Sequence, residues 1–143
     1  MDLDRDGMEL QLLTMQLQDA DVEVRLRAAA ALGERGGRAR SAVPALVSLL
    51  SDGEAAVRRM AALALGDIAA RADLAVPELT RALHDADSDV RRRAAQALRE
   101  YGPEAQAAVP ALLAALGDTE GKVRLAAARA LRRIRPRPSA DAA

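Results

Sequence analysis

The 143-residue sequence lacks several residue types on which common chemistry depends. It contains no Cys, Trp or Phe, a single Tyr (Tyr101) and a single His (His84). The absence of Cys excludes disulfides, thiolate metal sites and cysteine nucleophiles. No apolar run approaches the length of roughly 20 residues that a membrane-spanning helix needs. We therefore expect a cytoplasmic protein that has no membrane partner and no cofactor.

The sequence also lacks an excess of either charge. It has 21 basic and 21 acidic residues, so its formal net charge is zero. The two ends differ, however. Residues 1–23 contain seven acids and one base, whereas residues 122–143 contain seven bases and one acid. No basic stripe marks a nucleic-acid groove, so we expect nucleic-acid binding to be the least favoured of the possible functions.

A recurrence with a period of 33 residues runs through the sequence without an insertion. Three of its columns are Asp19, Asp52, Asp85, Asp118; Arg25, Arg58, Arg91, Arg124; and Leu32, Leu65, Leu98, Leu131. Each copy contains two stretches with apolar residues at the spacing of one helix face, separated by breakers such as Gly36-Gly37. We call the first helix of each copy A and the second B. The predicted A helices span 21–35, 54–68, 87–101 and 120–134, and the predicted B helices span 42–51, 75–84 and 107–117.

This pattern predicts an all-α fold, a right-handed α-solenoid of stacked helix pairs. Residues 8–135 form its single domain, with repeats at 19–51, 52–84 and 85–117. A half repeat at 8–18 supplies a B helix without its A helix, and a half repeat at 118–135 supplies an A helix without its B helix. Residues 1–7 are interpreted as an acidic tail and residues 136–143 as a proline-containing tail.

The repeat resembles a known bacterial motif. Asp52 to Gly66 reads DGEAAVRRMAALALG, and Ala75 to Leu79 follows with AVPEL. This is similar to the HEAT-like repeat of the phycobilisome-lyase type, over about residues 10–135. The resemblance implies an interaction scaffold rather than an enzyme. It leaves open an accessory role in attaching a bilin chromophore. An iron site like that of deoxyhypusine hydroxylase is excluded because the sequence has only His84.

The recurring Asp and Arg are the obvious candidates for chemistry, but we interpret them as a structural ladder. An Asp in the turn between repeats can accept helix-start N–H groups, and an Arg six residues later can pair with an Asp of a neighbouring copy. A catalytic group is normally needed once, whereas this pair occurs four times. We therefore assign no catalytic residue.

The amino terminus contains a partial calcium-binding pattern. Asp2, Asp4, Asp6 and Gly7 match the first half of an EF-hand loop, but Leu13 stands where the loop needs a bidentate Glu. We interpret these acids as solvated side chains and predict no metal site.

Partner-binding residues are predicted on the B helices, which line the concave face of such solenoids. The outward columns include Ser48, Glu78 and Arg81. In the first B helix the same columns contain Met8, Leu12 and Met15, an apolar stripe suited to contact with a protein. Self-association is a further hypothesis, through a two-fold contact of this stripe or head to tail through the incomplete ends. Alternatively, the opposite end charges only complement the helix dipoles.

Overall fold

The structure, a computed structural model, describes residues 3–134. These residues form eight α-helices and no strand: α1 Leu3–Gln16, α2 Val22–Glu34, α3 Val43–Leu49, α4 Ala55–Ile68, α5 Ala72–Ala82, α6 Ser88–Tyr101, α7 Val109–Ala115 and α8 Gly121–Ile134. The all-α prediction is confirmed. The A helices are α2, α4, α6 and α8, and their bounds lie within one residue of those expected. The B helices are α1, α3, α5 and α7.

Local signals in the sequence account for several helix ends. Asp21 and Asp87 precede α2 and α6, and their carboxylates accept hydrogen bonds from the backbone N–H of Glu23 and Val90 at 2.9 and 3.0 Å. These bonds satisfy donors that the helix itself leaves unpaired. Gly102 follows α6 with φ +59° and ψ −135°, a conformation that is essentially restricted to glycine.

The helices pack as the repeat predicts. Each A helix lies against the next A helix, and each B helix lies against the A helix that follows it. The leucine column at Leu32, Leu65 and Leu98 is fully buried between them. A Cβ at Gly66 would lie 2.9 Å from the Cα of Ala97, so glycine allows α4 and α6 to approach closely. The result is one continuous core that runs along the stack.

Tyr101, which the repeat places in a core column with Ile68 and Ile134, is buried. Its hydroxyl donates a 2.7 Å hydrogen bond to the carbonyl oxygen of Ala70. Burial raises the pKa of Tyr101 to about 12, because the phenolate would lose its hydration. The ring therefore has a packing role in the neutral form.

The first helix is longer than expected. α1 begins at Leu3, so residues 3–7, which the sequence assigned to an acidic tail, belong to the helix. Asp4 and Asp6 lie in its first turn, where acidic side chains interact favourably with the helix dipole. Asp6 also lies 3.0 Å from Arg38, an ion pair that holds this turn against the first repeat. The predicted tail at 136–143 lies outside the described residues.

The B helices differ in how they begin. A 3-10 segment precedes α3 (Gly36–Ala42) and α7 (Gly102–Ala108), so their prolines fall in the first helical turn, as expected. In the second repeat, Ala69 and Arg71 adopt left-handed conformations instead, and α5 starts directly at Ala72. Pro77 therefore lies inside α5, where it removes one backbone hydrogen bond. The predicted start of this B helix at residue 75 is therefore three residues too late, and Pro77 does not lie in the first turn.

Candidate interaction surfaces

The recurring arginines and aspartates pair between successive repeats. The Nε atoms of Arg58 and Arg91 donate to Oδ2 of Asp85 and Asp118, both at 2.9 Å. The third such pair joins Arg25 Nε and Asp52 Oδ1 over 3.0 Å. All six side chains are largely buried, with exposed fractions between 10% and 18%. Each ion pair thus joins an A helix to the turn that begins the next repeat.

Further hydrogen bonds engage other polar atoms of two of these pairs. The Nη1 atom of Arg58 also donates to the carbonyl oxygen of Asp52 in its own repeat at 2.8 Å. The Asp118 carboxylate accepts both the Arg91 guanidinium and the backbone N–H of Glu120. The hydrogen bonds from Arg91 lower the pKa of Asp118, and the Asp85 carboxylate raises the pKa of Arg58. Such paired, charged groups hold repeats together and offer no free acid or base.

The predicted apolar stripe lies on the solvent side of α1. Met8, Leu12 and Met15 are 70%, 55% and 67% exposed. On the opposite side of the same helix, Leu10 and Leu13 pack against the core, and Leu17, which directly follows the helix, is fully buried. A helix with one apolar face in the core and a second in water is typical of a contact surface.

Two ion pairs attach α1 to the first repeat. Arg35 Nη2 lies 3.1 Å from Glu9 Oε2, and Arg38 Nη2 lies 3.0 Å from Asp6 Oδ2. The sequence analysis did not identify these pairs. The sequence nevertheless indicates the first pair, because Glu9 and Arg35 are charged residues in repeat columns that are otherwise apolar. The column of Glu9 contains Ala42, Ala75 and Ala108, and the column of Arg35 contains Ile68, Tyr101 and Ile134.

The other predicted partner-binding residues occupy the same outward columns in later B helices. Ser48 and Arg81 are exposed and Glu78 is partly exposed. Arg81 Nη1 lies 3.4 Å from Glu78 Oε1, so these two charges partly neutralise each other. The surface beyond the stripe is therefore weakly charged. Asp4 and Asp6 lie in a helix rather than in a loop, and residues 3–134 contain no group of three or more acidic or histidine side chains placed to hold a metal ion.

Basic side chains on the A helices have acidic neighbours. Lys122 Nζ lies 2.7 Å from Asp89 Oδ1, while the guanidinium nitrogens of Arg92 and Arg59 lie 3.6 Å from carboxylate oxygens of the same residue. The hydrogen bond from Lys122 lowers the pKa of Asp89. Within the described part of the chain, this face carries mixed charge rather than a basic stripe.

A second apolar surface, which the sequence analysis missed, lies at the carboxyl end between α7 and α8. It is lined by Leu113, Leu116, Ala128 and Leu131. Leu116 is 41% exposed, whereas its copy Leu83 in the preceding repeat is 4% exposed. The difference arises because the B helix of a further repeat is absent from residues 3–134. The repeat columns contain the signal, since Leu131 occupies a core column of the half repeat 118–135 and Leu116 occupies a core column of the repeat just before it, 85–117.

No helix within residues 3–134 combines the length and the apolarity needed to cross a membrane. The stacked helix pairs and their ladder of ion pairs define the class of the protein, an α-solenoid. The model of the family described as HEAT repeats matches residues 10–99 and again residues 76–143. The chain belongs to the HEAT repeat family, which confirms the resemblance.

Several solved structures are similar to this chain. An engineered protein from the Northeast Structural Genomics Consortium is 29% identical, with a TM-score of 0.76 over 88% of this chain and 62% of that chain. Computationally designed armadillo repeat proteins for modular peptide recognition are 27% identical, with a TM-score of 0.72 over 86% and 63%. The complex of CpcE and CpcF of phycocyanin lyase from Nostoc sp. PCC7120 is 27% identical, with a TM-score of 0.61 over 88% and 65%.

The chain thus spans less than two thirds of the length of each of these structures. No curated protein matches the chain.

Proposed function

We propose that this protein is a non-enzymatic interaction scaffold that binds a protein partner through the apolar stripe of α1 and the adjoining outward columns of the B helices. The observation that carries the proposal is the exposure of Met8, Leu12 and Met15 on a helix whose opposite face is in the core. Methionine side chains are flexible and polarisable, so they adapt to the surfaces of different partners.

The attachment of α1 supports this role. The ion pairs of Glu9 with Arg35 and of Asp6 with Arg38 hold the helix on the first repeat. A surface that is already ordered loses little conformational entropy when it binds. The outward columns of later repeats extend the surface with small or mutually paired side chains, such as Ser48 and the Glu78–Arg81 pair.

A non-enzymatic role is supported by the state of the charged groups. Six of the eight recurring ladder residues form ion pairs between repeats. The similarity to computationally designed armadillo repeat proteins for modular peptide recognition points in the same direction.

Substitution of Met15 tests the proposal. Met15→Asp places a charge in the middle of the stripe, where a bound partner would have to desolvate it, so we expect loss of the bound partner with unchanged helix content. Leu125→Asp is the matched control, because Leu125 is an equally exposed apolar residue on α8, away from the stripe.

The measurement is affinity capture from the source cell by each variant, followed by mass spectrometry and by circular dichroism of the purified chains. A protein captured by the wild type and by Leu125→Asp, but not by Met15→Asp, would identify the partner. Equal capture by all three would contradict a role for the stripe.

A second candidate is an accessory role in bilin attachment, favoured by the similarity to the CpcE–CpcF complex. Mixing the chain with a bilin and an acceptor phycobiliprotein distinguishes the two candidates. A shift of the bilin absorbance that depends on the chain would favour chromophore attachment, and an unchanged spectrum would favour the scaffold.

A further inference from the structure

The first aspartate of the ladder, Asp19, and its last arginine, Arg124, form no ion pair between repeats within residues 3–134. Within residues 3–134, the Asp19 carboxylate accepts the backbone N–H of Asp21 at 2.8 Å but pairs with no arginine, and Arg25 donates to the Asp19 carbonyl oxygen instead. Arg124 donates to the carbonyl oxygen of its own repeat's Asp118 at 2.7 Å, as the other ladder arginines do. Within the described chain, however, Arg124 has no carboxylate in the position that Asp118 offers to Arg91.

The helices at the two ends are also complementary. Within residues 3–134 no B helix follows α8, and Leu131 and Ala128 on α8 are partly exposed although their copies Leu98 and Ala95 are fully buried. In the same part of the chain no A helix precedes α1, and Leu13 is partly exposed although its copy Leu46 is fully buried. At each end, the exposed apolar residues are those that a neighbouring helix of the other type covers within the stack.

The charges of the two ends are opposite. The first 23 residues carry seven acids and one base, and residues 122–143 carry seven bases and one acid. Opposite charge of this kind accelerates association and selects the orientation in which unlike ends meet. It also opposes a contact between two acidic amino-terminal ends, which a two-fold pairing of α1 would require.

We propose that a second copy of this chain extends the solenoid head to tail, with Asp19 of one copy pairing with Arg124 of the other. In this arrangement α1 takes the place of the B helix that α8 lacks and covers the groove of Leu113, Leu116 and Leu131. The spacing agrees, because four periods of 33 residues carry Asp19 to the position that follows Asp118 in the ladder. The contact joins unlike surfaces, so it continues from copy to copy as a filament or closes as a ring.

This inference rests on the proposed function only in treating the protein as an interaction scaffold. The residues that carry the two proposals are different. The proposed function depends on the Met8, Leu12 and Met15 stripe, whereas the head-to-tail contact depends on the ladder ends and on the groove between α7 and α8. Variants of the ladder ends therefore test one idea, and Met15→Asp tests the other.

The test is a charge swap followed by sedimentation velocity at low salt over a range of concentrations. Arg124→Asp and Asp19→Arg each place like charges at the contact, so we expect each variant alone to associate at least about tenfold more weakly than the wild type. An equimolar mixture of the two variants restores unlike charges at every contact, so we expect the mixture to recover wild-type association.

Two further variants serve as controls. Arg129→Asp makes the same change of charge on α8 but outside the ladder, so we expect much less weakening than with Arg124→Asp. Asp19→Asn keeps an oxygen that can accept the Asp21 N–H, so it separates the loss of the charge from a disturbed turn. Circular dichroism checks that every variant retains its helix content.

The outcomes separate the alternatives. A wild-type chain that stays monomeric at low salt and millimolar concentration overturns the inference, whether the groove is then open or covered by residues 135–143. Association that Met15→Asp abolishes but that the charge swap leaves unchanged also overturns it, in favour of a two-fold contact through the stripe. Restoration by the mixture, together with unchanged partner capture by the single variants, supports the inference.

Discussion

At single positions, this protein departs from the residue type that the repeat has elsewhere in the same column. The column that holds Ile68, Tyr101 and Ile134 holds Arg35 in the first copy. Arg35 is accommodated because the facing position on α1 is Glu9 rather than alanine, and the two form an ion pair. Tyr101 is accommodated because its hydroxyl reaches the carbonyl of Ala70. In both cases a polar atom enters a core column together with its partner.

Ala69 is a residue for which no such compensation is visible. It adopts φ 49° and ψ 41° at the end of α4, in the column where the other copies have Gly36 and Gly102. A left-handed conformation costs a residue with a Cβ about 1 kcal/mol or more, and glycine avoids this cost.

We therefore expect Ala69→Gly to raise the free energy of unfolding by about 0.5–1 kcal/mol, measured by urea denaturation. Ala70→Gly is the control. Ala70 has no positive φ and packs against the core, so the substitution increases the freedom of the unfolded chain and removes a packed methyl group, and both effects lower the stability. A loss of stability in both variants would contradict the assignment of strain to Ala69.

At the scale of helices, most bounds follow from apolar spacing and from local signals, which is why all four A helices were predicted closely. The early start of α1 and of α5 was not predicted. The first turn of α1 contacts Arg38 through Asp6, 32 positions away, and helical spacing does not predict this contact. The start of α5 follows two left-handed residues, Ala69 and Arg71, whose conformations no sequence motif predicts.

The packing of one helix on another predicts opposite results for two similar substitutions. Gly66 and Gly7 both lie inside helices, and alanine favours a helix by about 0.5–1 kcal/mol over glycine. A Cβ at Gly7 meets nothing within 4 Å, so Gly7→Ala should stabilise the protein by about that amount.

Gly66→Ala places its Cβ 2.9 Å from the backbone of Ala97, so α4 and α6 must move apart. We expect a net destabilisation of about 1–3 kcal/mol in thermal or urea unfolding. If both substitutions stabilised the protein, the close approach of α4 and α6 would be refuted.

At the scale of the whole molecule, the extensive contacts within residues 3–134 join helices of the same repeat or of neighbouring repeats. Stability is then a sum of terms for repeats and their interfaces, and the end units have one interface fewer. Opening from the ends is therefore less costly than opening in the middle.

Amide hydrogen exchange measures this difference. In dilute protein at high salt, where the ends stay free, we expect the amides of α1 and α8 to exchange faster than those of α4 and α6. Uniform protection along the chain would mean that the stack unfolds as a single unit. A gain of protection in α1 and α8 at low salt and high concentration would accompany the proposed head-to-tail contact.

The sequence by itself determined the number, order and type of the helices, because the 33-residue period and the apolar spacing express which faces are buried. It also identified the exposed stripe of α1, since Met8, Leu12 and Met15 stand where other copies have small or polar residues. Only the tertiary structure decided that Glu9 and Asp6 pair with Arg35 and Arg38, how far α1 extends, and that the groove between α7 and α8 is open. Those features depend on distances between residues far apart in the chain, and helix periodicity carries no information about such distances.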